Sequence, residues 1–482
     1  MIDFRPILLV LGLLLTTFGV GMLLPALVDV AAGNPDWIVF LASATATIFI
    51  GISLILTTRS GSSEIDVRQA FLLTTFSWVV TAAFGALPFM FSDLGLTYTD
   101  AFFESMSGVT TTGSTVIVGL DDAPPGILLW RALLQWMGGV GIIVMAVAVL
   151  PMLQVGGMQL FRMESSDTSE KILPRAAQFA GAIALLYFLL TIVCAIALWL
   201  AGMSPFEGLA HAMTTIATGG FSTSDQSIGH FDSAAVDTIV IVFMIVGSLP
   251  FVLYLQALRG QHGPLLRDTQ VRWFLALVAG SVGGMTLWRW QEIDGNFFDS
   301  LRYTSFNVVS VITGTGYSTT DYNQWGGLAI PVLFFLMFVG GCAGSTSCGV
   351  KVFRLQILYA AINVQMQRLL QPHGVFVPRY NRKPVSDPVI SSVMSFFFLF
   401  AVCYAALAIG LGALGLDFIS AVSGAGTVIA NVGPALGDTI GPAGTFSDLP
   451  VGAKWLLSFG MLLGRLELFT VLVLFSTRFW SA

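Results

Sequence analysis

The sequence predicts an all-α membrane protein that crosses the bilayer many times, and two properties of the whole chain support this fold class. Of the 482 residues, 55% are hydrophobic and only 10% are charged, whereas soluble domains carry about 25% charged residues. Apolar stretches long enough to cross a bilayer, about 20 residues, recur along the chain. This composition excludes a soluble or disordered protein, and a net charge of −6 argues against binding to nucleic acid.

Ten stretches are predicted to span the membrane: 6–28, 37–57, 70–92, 127–150, 177–201, 235–257, 273–290, 329–353, 389–413 and 452–476. With both termini inside, 16 of the 21 basic residues lie on the inner side; the five exceptions are Arg131, Arg289, Arg302, Lys454 and Arg465. Because cytoplasmic loops are enriched in Lys and Arg, we expect both termini to be cytoplasmic.

Many carboxylates lie at the predicted outer turns, Asp100 and Glu104 among them. Such a surface raises the local concentration of cations. The alternative is that these are ordinary solvated loop residues, and the sequence favours neither interpretation.

A moderately apolar half-span followed by a polar or glycine-rich break occurs four times. The breaks are 110–115 (TTTGST), 217–222 (ATGGFS), 313–318 (TGTGYS) and 430–435 (ANVGPA). Aligned on Gly113, Gly220, Gly316 and Gly433, they are separated by 107, 96 and 117 residues. A repeat that contains a span, a half-span, a break and another span is an internal repeat of a membrane hairpin. The predicted units are 1–67 (two leading spans), 68–160, 161–260, 261–370 (with a broken second span) and 371–482.

The half-spans are too short to cross the membrane, so each is expected to enter it and return. Irregular backbone at membrane depth is tolerated only where protein buries it or water reaches it. Four breaks that line one central axis satisfy this condition, and their carbonyl oxygens would replace the hydration shell of a monovalent cation. The predicted filter residues are Thr111, Thr112, Gly113, Thr218, Gly219, Gly220, Thr315, Gly316, Asn431, Val432 and Gly433. A single break of this kind would instead indicate close helix packing.

At these residues the chain resembles the Trk/Ktr/HKT superfamily of potassium transporters, most closely the TrkH/TrkG type of bacterial uptake subunit. The resemblance runs from the first span to the end, and the stretches that carry it are 100–113 (DAFFESMSGVTTTG), 135–143 (QWMGGVGII), 155–160 (VGGMQL), 219–222 (GGFS), 340–346 (GGCAGST) and 464–474 (GRLELFTVLVL). It implies four span–pore helix–span units around one pore, preceded by two extra spans, ten spans in all. This chain departs from the family at Ser347-Cys348, where family members commonly have consecutive glycines.

The resemblance also implies the ion, the location and the partners. K+ is expected at Thr112, Gly113, Gly219, Gly220, Thr315, Gly316, Val432 and Gly433, and the protein is expected in the bacterial inner membrane. It implies a homodimer and a cytoplasmic TrkA-type ring that binds nucleotides and gates the pore. The chain itself has no Walker A or G-x-G-x-x-G motif, so we expect it to bind no cofactor. The basic segment 351–383 is the expected partner surface, with membrane lipid headgroups as the alternative.

The predicted eighth span contains the small-residue run 340–349 (GGCAGSTSCG). Glycine costs about 1 kcal/mol relative to alanine inside a helix, so this span is expected to break at membrane depth. The resemblance implies that Gly341, Cys342, Ala343, Gly344, Ser345 and Thr346 form an intramembrane gating loop. Close helix packing is again the alternative.

Arg465 lies about 14 residues into the last predicted span, where a charge costs about 2.5–3.5 kcal/mol on insertion scales and usually marks function. It is therefore the predicted gate cation, able to repel K+ and to bond carbonyls of the broken span. The alternative is a buried structural ion pair.

Two other classes of protein are less consistent with the sequence. A membrane enzyme would need a catalytic motif, and neither H-E-x-x-H nor G-x-S-x-G is present; a purely structural subunit would not need four aligned breaks. Within the transport class, a Na+/K+ symporter or a less selective monovalent cation transporter remains the alternative to selective K+ uptake.

Overall fold

The computed structural model describes residues 2–58, 65–148, 172–292 and 296–481. Within these ranges the only paired strands are Arg379–Tyr380 and Lys383–Pro384, which form a small antiparallel hairpin. The motif at 155–160 and the predicted boundary at residue 160 lie outside the described residues.

The helices follow the order expected of spans and half-spans. The α-helices are Arg5–Gly21, Leu23–Ala32, Trp37–Thr58, Val67–Gly85, Leu87–Phe91, Tyr98–Val109, Pro125–Ala148, Ile172–Leu200, Pro205–Ile216, Ala234–Gly247, Phe251–Leu258, Gly263–Arg267, Thr269–Glu292, Phe297–Thr313, Ala329–Leu336, Val352–Leu370, Asp387–Ala413, Phe418–Ala430, Val451–Arg465, Phe469–Leu472 and Thr477–Ser481. Short 3-10 helices cover Leu120–Asp122, Ser227–Phe231, Tyr322–Trp325 and Val473–Phe475.

In the described part of the chain, seven helical stretches are long and apolar enough to cross a membrane, and two bent helix pairs raise the number to as many as nine. The predicted span at 329–353 forms only the short helix Ala329–Leu336, followed by irregular chain up to Lys351. The fold class is confirmed: this is an all-α polytopic membrane protein, with two leading spans and four span–pore helix–span units around a central pore.

Two spans that the sequence predicts as continuous, 235–257 and 452–476, are in fact sharply bent. The first bends by 93° between Gly247 and Phe251, and the second by 110° between Arg465 and Phe469. Pro250 lies in the first bend and has no backbone N–H to continue a helix. In the second bend Glu467 and Leu468 have positive φ values of 64° and 54°. The continuous-span prediction was therefore wrong at both sites.

Each pore helix begins at a side chain that caps it. Thr97, Ser204, Asn296 and Asp417 accept hydrogen bonds from the first-turn backbone N–H groups of the helices at 98–109, 205–216, 297–313 and 418–430. Such caps satisfy donors that a helix cannot pair internally. They fix four short helices at the positions where the chain re-enters the protein.

The pore helices connect neighbouring repeats. The first packs on the last span at 451–465, the second on the span at 125–148, and the third on the helix at 234–247. The fourth faces the end of the helix at 329–336, because Gly426 lies against Met337 and Phe338. Each pore helix thus contacts the second span of the preceding repeat, and the contact between the first and fourth repeats closes the circle.

The two leading spans cross at a glycine contact. A Cβ added at Gly51 would lie 2.5 Å from Thr16 Oγ1 and 2.8 Å from Gly12 O, and one added at Gly12 would lie 2.8 Å from Gly51 O. Small residues allow this close approach between helix backbones in membranes.

We predict that Gly51→Ala lowers the thermal stability of the detergent-solubilised protein, because overpacking a tight contact costs about 1–3 kcal/mol. The matched control is Gly280→Ala, also within a span, where an added Cβ meets nothing within 4 Å. Equal Tm values for the two variants, measured by thermal unfolding, would contradict the contact.

Candidate functional site

The four loops that follow the pore helices share one backbone pattern. In each, the glycine used to align the repeats and the residue two positions before it both have positive φ. The pairs are Thr111 and Gly113 (53° and 91°), Thr218 and Gly220 (48° and 80°), Gly314 and Gly316 (72° and 85°), and Asn431 and Gly433 (52° and 103°). Because the residue between each pair does not have a positive φ, the hand of the backbone alternates along each loop.

Threonine is a poor residue for this conformation. Positive φ is a genuine outlier for a β-branched side chain, yet Thr111 and Thr218 adopt it at 53° and 48°. Strain of this kind costs about 1–3 kcal/mol and concentrates at functional sites. The surrounding structure therefore imposes the backbone path on the loops.

One hydrogen bond recurs in all four loops. The backbone N–H before each aligned glycine donates to the carbonyl five residues upstream. The pairs are Thr112 to Ser107 at 2.8 Å, Gly219 to Thr214 at 2.9 Å, Thr315 to Ser310 at 2.9 Å, and Val432 to Thr427 at 3.0 Å. The four loops therefore leave their helices in the same way.

The glycines close the loops into a ring. A Cβ built on each would collide with the carbonyl oxygen that precedes the aligned glycine of the next repeat. The distances are 2.3 Å from Gly113 to Gly219 O, 2.0 Å from Gly220 to Thr315 O, 1.9 Å from Gly316 to Val432 O, and 2.9 Å from Gly433 to Thr112 O. Only glycine fits these positions, and the fourth contact returns to the first repeat.

The ring offers uncharged oxygen to a cation. Its non-glycine members are buried, and four pore helices end directly before it, each with a partial negative charge of roughly half an electron at its C-terminus. Two carbonyls already have protein partners. Gly219 O accepts from Gln135 Nε2 at 2.7 Å, and Gly433 O accepts from Ser114 Oγ at 2.8 Å and Thr427 Oγ1 at 3.1 Å. These two are less free than the other predicted ligands to coordinate an ion.

The irregular stretch at 340–349 lies against the ring, on the side where the pore helices end. Ser347 Oγ donates to the carbonyl of Thr313, the last residue of the third pore helix, at 2.7 Å, and Thr346 Oγ1 donates to that of Ile216, the last of the second, at 3.0 Å. In the first repeat, Thr111 Oγ1 lies 3.7 Å from Cys348 Sγ. The predicted gate residues, Gly341 to Thr346, belong to this stretch, and all of them except the partly exposed Gly344 are buried.

The stretch also supplies hydrogen-bond partners to the backbone groups left unpaired at the bend in the preceding repeat. The N–H groups of Cys342 and Thr346 donate to Ser248 O and Gly247 O at 3.0 and 3.1 Å. Phe251 N in turn donates to Gly344 O at 3.0 Å. The two broken spans therefore supply each other's missing helical hydrogen bonds.

Arg465 brings the fourth repeat to the same place. It is the last residue of its helix, and its guanidinium donates to Thr346 O at 3.3 Å, Cys348 Sγ at 2.6 Å and Gly138 O at 3.1 Å. Among the residues that the structure describes, no carboxylate pairs with it. Glu467 instead pairs with Arg354. The contacts of this arginine are therefore with the irregular stretch and with the first repeat.

The sequence misplaced Glu104 and Arg131, which it assigned to outer turns or outer-facing ends. Both are buried, and they form an ion pair with Arg131 Nε 2.8 Å from Glu104 Oε1. Glu104 belongs to the first pore helix and Arg131 to the span that follows. Aligning the four repeats would have revealed the first of these residues, because Glu104, His211 and Asn307 all lie nine positions before an aligned glycine.

Comparison with known proteins identifies the family. The profile of the TrkH cation transport proteins matches residues 38–482. This chain belongs to the TrkH family. It is 47% identical to the Trk system potassium uptake protein TrkI of Halomonas elongata, covering 98% of this chain and 96% of that one. It is 39% identical to the potassium uptake protein TrkH of Escherichia coli, covering 99% of both.

A solved structure agrees with the same assignment. The crystal structure of the potassium transporter TrkH from Vibrio parahaemolyticus matches with a TM-score of 0.92 and 37% identity, covering 99% of this chain and 100% of that one. The resemblance read from the sequence motifs is therefore confirmed. So is the expectation that the chain is not an enzyme, since TrkH-family members are cation transport proteins.

We predict that Gly220→Ala destabilises the protein far more than Gly119→Ala. Their φ values are nearly equal, 80° and 79°, so both variants carry the left-handed penalty of about 1–2 kcal/mol. Only at Gly220 does the new Cβ meet a neighbouring repeat, at 2.0 Å, whereas Gly119 has nothing within 4 Å. Thermal unfolding of the purified proteins measures the difference, and similar Tm values would contradict the ring contact.

Proposed function

We propose that the protein takes up K+ across the bacterial inner membrane through a filter of backbone carbonyls, with both termini in the cytoplasm. An intramembrane loop and Arg465 close the path, and a cytoplasmic TrkA-type nucleotide-binding ring controls it. The protein would act as a homodimer, as the family resemblance implies. The relatives named above as potassium uptake proteins support K+ as the ion.

The observation that carries this proposal is the closed ring of four loops. A K+ ion that leaves water needs oxygens to replace its hydration shell. Uncharged carbonyls supply them without binding the ion so tightly that it cannot leave. The four helix C-termini that end directly before the loops, each with a partial negative charge, favour such a cation path.

Purified protein in liposomes tests the function and its alternative. Reversal potentials under imposed K+, Na+ and pH gradients should follow the K+ gradient alone. A potential that depends on both K+ and Na+ in fixed proportion would instead identify Na+/K+ symport. Equal responses to the two ions would identify a less selective transporter.

The gate proposal rests on the contacts beneath the ring. The stretch at 340–349 touches the second and third pore helices and Thr111, and Arg465 ties it to the fourth repeat. A guanidinium at this depth repels a cation that has passed the filter. Movement of the stretch would both open the path and displace the charge.

The helix at 352–370 offers a route from a partner to the gate. It begins directly after Lys351, whose Nζ donates to Ser347 O within the stretch. Its far end exposes large apolar side chains, Tyr359, Ile362, Met366, Leu369 and Leu370. A cytoplasmic ring bound to this helix and to the segment up to Lys383 would pull on the gating stretch. Lipid headgroups are the competing partner.

We predict that Gly316→Ser lowers the preference for K+ over Na+, because the added side chain meets Val432 O, 1.9 Å from a built Cβ, and displaces a filter carbonyl. Gly327→Ser in the outer loop of the same repeat is the control, since nothing lies within 4 Å of it. The readout is the K+/Na+ permeability ratio in liposomes. An unaltered ratio in folded Gly316→Ser protein would remove these loops as the filter.

We predict that Arg465→Ala raises K+ flux several-fold in the absence of a partner ring, because it removes both the charge and the hydrogen bonds that hold the gating stretch. Arg289→Ala is the control: that arginine stacks on Tyr303 and Trp325, away from the ring. Flux through Arg465→Ala no greater than wild type would overturn the gate role.

A further inference from the structure

In three of the four repeats, one equivalent position carries a polar side chain that holds the segment of chain leading away from the ring (the outgoing segment). Counting nine residues back from the aligned glycines gives Glu104, His211, Asn307 and Gly424. The first three are polar, yet each is fully buried in its pore helix. A buried polar side chain is costly unless it is hydrogen-bonded, so the partners of these three residues explain their presence.

Each of these three side chains hydrogen-bonds to the outgoing segment of its own repeat, at a residue two or three positions after the aligned glycine. Glu104 accepts from Thr115 Oγ1 at 2.9 and 3.0 Å and from Val116 N at 2.9 Å. His211 Nε2 lies 3.0 Å from Ser222 Oγ. Asn307 Nδ2 donates to Thr319 Oγ1 at 2.9 Å. In the fourth repeat, Gly424 has no side chain to do this.

Glu104 differs from the other two because it is charged and because its partner reaches a second repeat. Arg131 Nε donates to Glu104 Oε1 at 2.8 Å, and its Nη2 donates to Thr115 Oγ1 at 3.2 Å. Its Nη1 donates to Ser222 O at 2.6 Å, and the guanidinium stacks 4.1 Å from the centre of the Phe221 ring. The pair thus joins the outgoing segments of the first and second repeats.

The pair lies next to the ring, on the residues that follow two of the aligned glycines. Thr115 and Ser222 each follow an aligned glycine by two residues, and Gly113 packs on Gly219 O within the same pair of repeats. The opposite side of Thr115 is held by the fourth repeat, through Phe446 N to Thr115 O at 2.9 Å. A shift of either outgoing segment would change the spacing of the ring carbonyls in the same repeat.

We propose that Glu104 and Arg131 are positioning residues that set the spacing of the filter between the first and second repeats, and so the preference for K+ over Na+. The inference rests on the proposed function, since it assigns a role in the same filter. Ion selection by carbonyls depends on how closely and how firmly they are held. Both carboxylate oxygens of Glu104 and all three guanidinium nitrogens of Arg131 have hydrogen-bond partners, which makes this buried ion pair a rigid support.

The test compares Glu104→Gln with Asp100→Asn in liposomes. Glu104→Gln keeps the shape of the side chain but leaves Arg131 without its counter-charge. Asp100 is four residues earlier in the same helix and forms the other ion pair there, with Lys454 at 2.5 Å. Lys454 also donates to Ser447 O, but neither Asp100 nor Lys454 hydrogen-bonds to Thr115 or Ser222, the residues that Glu104 and Arg131 hold. We expect a several-fold fall in the K+/Na+ permeability ratio for Glu104→Gln and a wild-type ratio for Asp100→Asn.

A second pair of variants decides the question if Glu104→Gln does not fold. Thr115→Val removes the hydroxyl that both Glu104 and Arg131 bind, whereas Thr115→Ser keeps it. Support requires a lower K+/Na+ ratio for the valine variant and a ratio restored by serine. A wild-type ratio in folded Glu104→Gln, or in Thr115→Val, overturns the positioning role.

The failure of this inference is distinguishable from failure of the proposed function. If wild-type protein carries K+ selectively and the Glu104→Gln ratio is unchanged, only the positioning role is lost. If wild-type protein shows no K+-driven potential, the filter itself is wrong and the positioning role is lost with it.

Discussion

The structure depends on a steric constraint at four glycines. Each occupies a position where a Cβ would collide with a carbonyl of the next repeat, at 1.9 to 2.9 Å. The loops can therefore approach closely enough to share one axis only if these four residues lack side chains. The caps, the recurring hydrogen bond before each glycine and the packing of each pore helix on the preceding repeat all serve to hold this approach. The strained φ values at Thr111 and Thr218 are a cost of the same arrangement.

Charge is scarce in this chain, and several of its charges join repeats. Asp100 and Lys454 connect the first and fourth repeats, Arg302 and Asp237 the third and second, and Arg354 and Glu467 the third and fourth. Buried pairs are weak evidence for stability, since desolvation offsets much of their attraction. They do specify which surfaces meet, and a ring of similar but unequal repeats needs that specification.

Much of the fold was predictable, because hydropathy and the four polar or glycine-rich breaks are local signals. Three features were not. The bends after Gly247 and Arg465 depend on hydrogen bonds from distant segments, as when Cys342 N reaches Ser248 O. Glu104 was placed at an outer turn because its partner Arg131 is 27 residues away and is not evident from the local sequence. The alternating backbone hand at residues such as Thr218 follows from ring closure, and a single repeat read alone does not contain it.

The four repeats are alike in the ring but differ on the side where the pore helices end. Above, the four loops share one backbone path, although the carbonyls of Gly219 and Gly433 already accept protein hydrogen bonds. Below, within the described residues, the second span of the first repeat (125–148) continues as one helix past the ring, while the second spans of the other three repeats are broken. The breaks are complementary. The stretch in the third repeat hydrogen-bonds to the backbone at the bend of the second repeat. Arg465, at the end of the fourth repeat's helix, binds both that stretch and Gly138 of the continuous span. In the proposed function, four repeats of similar backbone surround the ion at the filter. The proposed gate uses the one repeat that differs, so that a single segment lies across the path while contacts from the other three repeats hold it there.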